Sequence, residues 1–391
     1  MFQLSTKELA ELGAEITTRE IKQQPELWHE TLTIYQEKQE AIATFLRTIK
    51  QKTDKRIRVV FTGAGTSQYV GDTIVPYLNK TGATADYLFE SIATTDIVAA
   101  PEQVLFADEP TLLVSFARSG NSPESLAAVK IVDQFVADSY HLTITCAADG
   151  SLAQQAVADE TSYLLLMPER SNDAGFAMTG SFSCMALSAL LIFDQTPLTE
   201  KRHYVETLSR LGQEVIDRET ELQVLTDRSF KRIVYLGSGT LSGLTREAQL
   251  KVLELTAGKI ATVFDSSMGF RHGPKSFVDD QTLVFVFVSN TPYTRQYDLD
   301  MLEELKSDGI AAAVTAIGQP AAVNFSGTNF FFPADTSLTD GYLALADIVF
   351  AQTIALLASI KVGNTPDTPS PTRTVNRVVK GVTIHPYNNE R

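Results

Sequence analysis

The chain has 391 residues, of which 44% are hydrophobic and 20% charged, a composition typical of folded globular proteins rather than disordered ones. This length predicts two domains of about 150 residues each, with extensions. The formal net charge of −14 argues against nucleic-acid partners and anionic membranes, because both require a positive surface. Since no signal-like segment and no run of roughly eighteen uncharged apolar residues is present, we expect a cytoplasmic protein.

A charged, helix-periodic segment opens the chain, with Ser5 or Thr6 as candidate N-caps. After Lys361 the composition changes to a Pro-rich stretch that cannot continue a helix, and an extended, basic tail follows. The sequence therefore predicts an N-terminal helical segment at 1–50, a first domain at 51–200, a second domain at 201–362 and a C-terminal tail at 363–391.

A strand-and-turn unit occurs twice in the chain. Residues 59–66 read VVFTGAGT and residues 233–240 read IVYLGSGT, and each copy precedes a helical pattern. Matching apolar runs follow in the same order in both halves: 111–116, 141–146 and 163–168 in the first, and 282–287, 310–314 and 329–333 in the second. Short apolar runs that alternate with helical segments predict an α/β fold, with two tandem doubly wound parallel sheets.

Two cysteines, Cys146 and Cys184, fall in apolar strand-like and helix-like runs. We expect buried free thiols rather than a disulfide or a metal pair.

Hydroxyl side chains and glycines follow two strands of the first copy. Gly65, Thr66 and Ser67 follow the first strand, and Ser119 and Ser122 follow the strand that ends at Phe116. In an open parallel sheet, ligands bind outside the carboxyl ends of the strands, where helix N-termini attract phosphate. These turns therefore predict a phosphate site. The alternative is that the hydroxyl groups only cap their helices.

A dinucleotide site is a weaker interpretation of the same turn. Gln68 stands where the third glycine of the nucleotide-binding fingerprint belongs, although Asp86 lies at a suitable sequence distance for an acidic residue that binds ribose.

The second copy carries different chemistry. Glu247, Lys251 and Glu254 are spaced by four and three residues, so they share one helix face. A solvated row of ion pairs is the alternative interpretation of that spacing. His272 lies between Arg271 and a Gly-Pro pair in a stiff turn, which favours acid/base chemistry.

Together these motifs resemble the sugar isomerase (SIS) domain enzymes, and most of all the isomerase half of glucosamine-6-phosphate synthase. The motifs are GAGTS at 63–67, SGNS at 119–122, the helix of Glu247 to Glu254, RHGP at 271–274 and KGVT at 380–383. Residues 18–28, TREIKQQPELW, are similar to the N-terminal signature of the AgaS group, which comprises galactosamine-6-phosphate deaminase/isomerases, also called tagatose-6-phosphate ketose/aldose isomerases. The resemblance implies flavodoxin-like three-layer sandwiches.

The resemblance also implies roles for individual residues. Thr66, Ser67, Ser119 and Ser122 match phosphate-binding positions, while Arg118 replaces a usual glutamine. Glu254 matches the base that moves a proton between C1 and C2, and Glu247 and Lys251 match supporting polar residues. His272 matches the residue that opens the sugar ring, which in the family comes from the neighbouring subunit. Lys380 matches a tail lysine that contacts substrate.

The expected activity is therefore deamination of galactosamine 6-phosphate to tagatose 6-phosphate and ammonia, a hydrolase reaction with aldose/ketose isomerase chemistry. Plain isomerisation of a hexose phosphate without deamination is the alternative enzyme, and a non-catalytic sugar-phosphate sensor is the alternative of another class. We expect no metal or redox cofactor, no nucleic-acid or membrane partner, and a homodimer or dimer of dimers with a shared active site.

Overall fold

The computed structural model describes residues 1–333, 335, 337–372, 374–378 and 381–387. The chain forms two compact units. One contains Leu27–Asp173, Gly180–Lys201 and the tail from Val375, and the other contains Met1–Glu26, Ala174–Thr179 and Arg202–Thr374. We call them the sheet-1 unit and the sheet-2 unit. The four-segment division expected from the sequence remains a prediction.

Within the described residues, ten strands form two parallel five-stranded sheets. Sheet 1 consists of β1 (Ile57–Thr62), β2 (Tyr87–Ser91), β3 (Thr111–Ala117), β4 (Ser139–Thr145) and β5 (Ser162–Leu166). Sheet 2 consists of β6 (Arg232–Gly237), β7 (Ala261–Ser266), β8 (Thr282–Val288), β9 (Ala313–Gly318) and β10 (Thr328–Phe331). The strand orders are β2-β1-β3-β4-β5 and β7-β6-β8-β9-β10, so both sheets have the same doubly wound, flavodoxin-like order.

Helices occupy most of the remaining chain. In chain order they are α1 (Thr6–Glu11), α2 (Glu15–Lys22), α3 (Gln24–Gln51), α4 (Thr66–Thr81), α5 (Thr94–Ala99), α6 (Pro101–Val104), α7 (Pro123–Phe135), α8 (Ser151–Val157), α9 (Gly180–Phe193), α10 (Leu198–Asp217), α11 (Glu219–Thr226), α12 (Thr240–Leu255), α13 (Pro292–Asp308) and α14 (Asp340–Lys361). Short 3-10 helices lie at Glu169–Ser171, Gly269–His272 and Pro274–Phe277. Ser5 caps α1 in a capping box with Glu8, as the sequence predicts.

Sheet 1 is covered on both faces, because successive side chains of a strand point to opposite sides. Val60 of β1 belongs to a buried cluster with residues of α5 and α7, whereas the ring of Phe61 packs edge-on against Phe193 of α9, with centroids 5.4 Å apart. The predicted three-layer arrangement is confirmed for this unit.

Sheet 2 repeats this packing. Val284 of β8 lies in a buried cluster with Met301 of α13, while the Phe285 ring packs against Phe350 of α14 with centroids 5.4 Å apart. Among the described residues, α14 alone is long and apolar enough to cross a membrane by length and composition. Because 94% of its apolar 18-residue segment is buried within the protein, α14 resembles the core helix of a globular domain.

The sequence analysis locates eight of these strands but misses β2 and β7. Both strands are only partly buried, and each lies at the edge of its sheet beside the first strand of that sheet. Their mixed burial gives them no continuous apolar run, which is the signal that identifies the other strands. The two cysteines are confirmed as buried free thiols.

The repeated turn has the same backbone in both copies. Gly65 has φ 56° and ψ −127°, and Gly239 has φ 58° and ψ −126°. Residues with a Cβ are strained at a positive φ combined with this ψ, so glycine is required at both positions. The preceding glycines are also constrained, because a Cβ at Gly63 would lie 2.5 Å from the Cβ of Ser67.

This geometry predicts that Gly239→Ala destabilises the protein by roughly 1–3 kcal/mol, since alanine must adopt a conformation in which its Cβ is strained. Urea denaturation of the variant measures the effect, with Ser242→Ala in the first turns of the same helix as the control. Equal stability of the Gly239→Ala variant and the wild type would show that the turn does not depend on glycine.

Candidate functional site

The first candidate turn lies at the carboxyl end of β1. Gly65 is the N-cap of α4, and Thr66 and Ser67 are the first two residues of that helix, both of them buried. Because the N-terminus of a helix carries partial positive charge and unpaired N–H groups, this turn has the chemistry to bind an anion.

The second candidate turn follows β3, which pairs directly with β1 through Thr62 and Ser115. β2 lies on one side of β1 and β3 on the other. The turns after β1 and β3 therefore lie where the strand order reverses. Ser119 and Ser122 are half-buried here, just before α7.

Asn121 fixes this second turn through contacts that the sequence does not indicate. Its side-chain Oδ1 accepts hydrogen bonds from the backbone N–H of Ser151 at 2.9 Å and from the Ser151 hydroxyl at 2.8 Å. Gly150 allows the close approach of the two loops, because a Cβ there would lie 2.4 Å from the carbonyl oxygen of Ser119. The turn is therefore fixed by the loop that follows β4.

Helix capping does not account for the hydroxyl groups of these turns. The N-cap of α4 is Gly65, which has no side chain, and Ser122 occupies the N-cap of α7 without a capping hydrogen bond from its side chain. The alternative interpretation is therefore wrong for the Ser122 hydroxyl, and the cap position of α4 carries no hydroxyl group at all.

The dinucleotide interpretation also fails, for a topological reason. Asp86 immediately precedes β2, whose first residue Tyr87 pairs with Ile57 at the start of β1. Asp86 thus lies at the edge of the sheet where the strands begin, whereas Gly65 follows the opposite end of β1. At that edge Asp86 pairs with Lys50, and its Oδ1 lies 3.1 Å from the Nζ of Lys50.

Arg118 connects the second turn to the C-terminal tail. It is only 7% exposed, and its Nη2 donates a hydrogen bond of 2.6 Å to the backbone carbonyl of Arg377. Lys380, the tail residue expected to contact substrate, lies outside the described residues.

In sheet 2, carboxylates of the protein itself occupy the corresponding turns. The Oδ1 atom of Asp298 accepts hydrogen bonds of 2.6 Å from the hydroxyls of Ser238 and Ser267, and its Oδ2 accepts one of 3.0 Å from the N–H of Ser289. The carboxylate of Asp340 accepts from the Ser289 hydroxyl and, at 2.7 Å, from the N–H of Asn290. Donors that could hold an external anion are therefore already bound to internal ones.

The predicted face of α12 is present, but it is not solvated. Lys251 and Glu247 are completely buried, so the alternative of an exposed row of ion pairs is wrong for both. The Nζ of Lys251 lies 3.2 Å from Glu247 and 2.6 Å from Glu254. Burial alone would lower the pKa of Lys251, but the carboxylates of Glu247 and Glu254 outweigh it and raise this pKa, so the lysine is charged.

Glu254 differs from its two partners because its side chain is 23% exposed. The buried ammonium of Lys251 holds one carboxylate oxygen of Glu254 in place. A carboxylate that is fixed by a buried cation and still reachable from outside has the geometry of a general base.

His272 is exposed, at the end of a short 3-10 helix before Gly273, whose φ is 129°. Its neighbours fix this segment to α13. Arg271 bonds Glu304 at 2.6 Å, and Lys275 pairs with both Glu304 and Asp308. The ammonium of Lys275, and secondly the guanidinium of Arg271, lower the pKa of Glu304. The exposed imidazole of His272 therefore lies on a segment that ion pairs attach to α13.

Residues 18–26 of the N-terminal signature make buried polar contacts within the sheet-2 unit. Glu20 is buried and accepts hydrogen bonds from the backbone N–H groups of Ala174 and Gly175, the first at 2.6 Å. Gln24 donates to Gln352 of α14 at 2.6 Å. Within the described part of the chain, no cluster of three or more His, Cys, Asp or Glu residues is arranged to hold a metal ion.

The buried Asp298 carboxyl makes stability depend on pH. Burial, which outweighs the donated hydrogen bonds, raises its pKa from 3.8 to about 6. A raised pKa stabilises the folded state fully below pH 3.8, and this contribution, roughly 3 kcal/mol, is lost as the pH rises through about 6. Asp298→Asn removes the titration. The unfolding free energy of the wild type should therefore fall relative to that of the variant as the pH rises from 4 to 7.

Asp300→Asn, an exposed change on the same helix, provides the control and should show no such trend. A difference between wild type and Asp298→Asn that is constant over this pH range would contradict the assignment.

Comparison with known proteins identifies the family of this chain. The SIS domain family matches residues 53–193 and 228–356. The D-galactosamine-6-phosphate deaminase AgaS of Escherichia coli is 46% identical over 382 residues, covering 95% of this chain and 96% of that protein. A solved structure from Clostridium novyi NT has a TM-score of 0.93 and 45% identity, covering 99% of both chains. That of the Escherichia coli tagatose-6-phosphate ketose/aldose isomerase has a TM-score of 0.86 and 43% identity, covering 95% of this chain and 96% of that one. The chain therefore belongs to the SIS domain family, and within it to the AgaS group.

Proposed function

We propose that this protein is an amino-sugar phosphate deaminase that converts galactosamine 6-phosphate and water to tagatose 6-phosphate and ammonia. The observation that carries the proposal is the Glu254 carboxylate, partly exposed and fixed at 2.6 Å by the buried Lys251, in a chain 46% identical to a relative named for this activity. A hydrolase of this type performs aldose/ketose isomerase chemistry as part of its reaction.

The phosphate group of the substrate binds to the two turns of sheet 1. Gly65 contributes backbone at the N-terminus of α4, and Thr66, Ser67, Ser119 and Ser122 contribute hydroxyls. Such groups can bind several phosphate oxygens without a lysine. Arg118, next to Ser119 in the chain, adds positive charge. Lys380 is proposed as a further contact to substrate.

His272 opens the sugar ring, because an imidazole can donate and accept protons near neutral pH. In this chain the side chain is exposed, which supports the proposal that it acts on substrate bound to a neighbouring subunit. The proposed assembly is therefore a homodimer or a dimer of dimers, in the cytoplasm, with its active sites shared between subunits.

Glu254 then transfers the proton. Its carboxylate removes the proton from C2 of the open-chain aldehyde, the C2–H electrons form a C1–C2 double bond, and O1 gains a proton. Return of the proton to C1, with loss of one N–H proton from the amino group to balance the proton gained by O1, gives a ketimine at C2. Water adds to the C2–N double bond and ammonia leaves, so the products are the ketose phosphate and ammonia. Lys251 and Glu247 hold Glu254 in position, and the reaction requires no metal or redox cofactor.

A second candidate is plain isomerisation between tagatose 6-phosphate and its aldose, without loss of nitrogen. It is favoured by the name of the Escherichia coli isomerase whose structure is 43% identical to this chain. The same base and the same imidazole serve both reactions. Parallel measurement of ammonia from the amino sugar and of ketose/aldose interconversion distinguishes the two.

We predict that Glu254→Gln lowers kcat by roughly 100- to 10,000-fold, because an amide cannot accept the C2 proton. Ammonia release from galactosamine 6-phosphate, together with deuterium uptake at the transferred position in heavy water, measures the effect. Glu221→Gln, a change at an exposed carboxylate on α11, serves as the control and should retain full activity. Wild-type proton exchange in a folded Glu254→Gln variant would identify another base, and no exchange in wild type would favour a sugar-phosphate sensor.

A further inference from the structure

Arg377 fastens the C-terminal tail within the sheet-1 unit. Its Nε donates a hydrogen bond of 2.8 Å to the backbone carbonyl of Asp173, and its Nη2 donates one of 2.9 Å to Oδ1 of Asn172 and another to the same carbonyl. The guanidinium is half-buried, and its planar fork engages two acceptors at once.

The same residue is also held through its backbone. The carbonyl of Arg377 accepts the 2.6 Å hydrogen bond from Arg118, a residue in the turn proposed to bind phosphate. Arg118 is the residue that precedes Ser119, so a shift of the tail at Arg377 is transmitted directly to that turn. Two arginines therefore connect three segments of one unit: the turn after β3, the loop at 172–173 and the tail.

A second anchor lies ten residues further along the tail. The hydroxyl of Tyr387 donates to Glu102 at 3.1 Å, and its ring packs near Phe135 with centroids 6.2 Å apart. Tyr387 also packs against the buried cluster formed by β1, β3, α5 and α7. The tail is thus attached to the sheet-1 unit by a polar contact at one point and an aromatic contact at another.

We propose that Arg377 is a positioning residue that locks the phosphate-binding turn to the C-terminal tail through Arg118. It touches no reacting atom. Its guanidinium fixes the tail on the loop at 172–173, and its carbonyl holds the Arg118 side chain beside Ser119. The inference deepens the proposed function and rests on it for its kinetic consequence, whereas the structural connection can be tested alone.

Two measurements on Arg377→Ala test this connection. Hydrogen exchange of the tail at residues 381–387 should become faster than in wild type, because the variant loses the side-chain hydrogen bonds that attach the tail to Asn172 and Asp173. KM for the sugar phosphate should rise roughly ten- to a hundredfold, the range expected for loss of hydrogen bonds from a charged group, with a smaller change in kcat.

Matched variants distinguish the hydrogen-bonding geometry of the Arg377 guanidinium from its positive charge. Arg377→Lys should restore only part of the effect, since one ammonium cannot reproduce the guanidinium fork. Asn172→Ala, which removes one acceptor, should shift exchange and KM in the same direction by a smaller factor. Arg47→Ala removes an exposed arginine of α3 and should change neither quantity.

Exchange and KM at wild-type values in folded Arg377→Ala would overturn the proposal, as would full rescue by lysine. If Arg377→Ala does not fold, the same readouts in Asn172→Ala and Arg118→Gln decide. If the wild type turns over no sugar phosphate, the proposed function fails, and hydrogen exchange alone still determines whether Arg377 holds the tail.

Discussion

The architecture depends on one backbone constraint, the glycine that starts a helix with positive φ at the end of the first strand of each sheet. Gly65 and Gly239 adopt this conformation with φ and ψ values that agree within 2°. Since each glycine directs the chain from the first strand into a helix, the N-terminus of that helix lies at the carboxyl edge of its sheet. The duplication has therefore preserved the geometry of an anion site twice.

The two copies differ in the side chains that lie at these turns. In sheet 1 the turns carry the hydroxyls of Ser67 and Ser119, and the Ser119 hydroxyl accepts a hydrogen bond of 3.3 Å from the N–H of Asn121. In sheet 2 the buried Asp298 occupies the donors from Ser238 and Ser289. An internal carboxylate satisfies these donors within the fold, which supports the proposal that the second copy contributes chemistry through α12 and the His272 segment rather than a phosphate site.

Sequence patterns specified the order of the elements and the two glycine turns, because apolar runs and small-residue turns are local signals. They did not specify the partners that come from distant segments. No sequence pattern near Asp298 indicates its three hydrogen-bond donors, which are 9 to 60 residues away in the chain. Helical spacing placed Lys251 and Glu254 on one face, but only packing decides that Lys251 is buried and Glu254 reachable. The role of Arg377 likewise depends on tertiary contacts.

The central claim is that one copy binds the substrate phosphate and the other does not. Calorimetric titration of the Glu254→Gln variant with galactosamine 6-phosphate tests it most directly, because binding is observed without turnover. The account predicts one site per chain, weakened roughly tenfold or more by added Ser67→Ala and unaffected by added Ser238→Ala, provided both proteins fold. Two sites per chain, or an affinity that depends on Ser238 and not on Ser67, would contradict it.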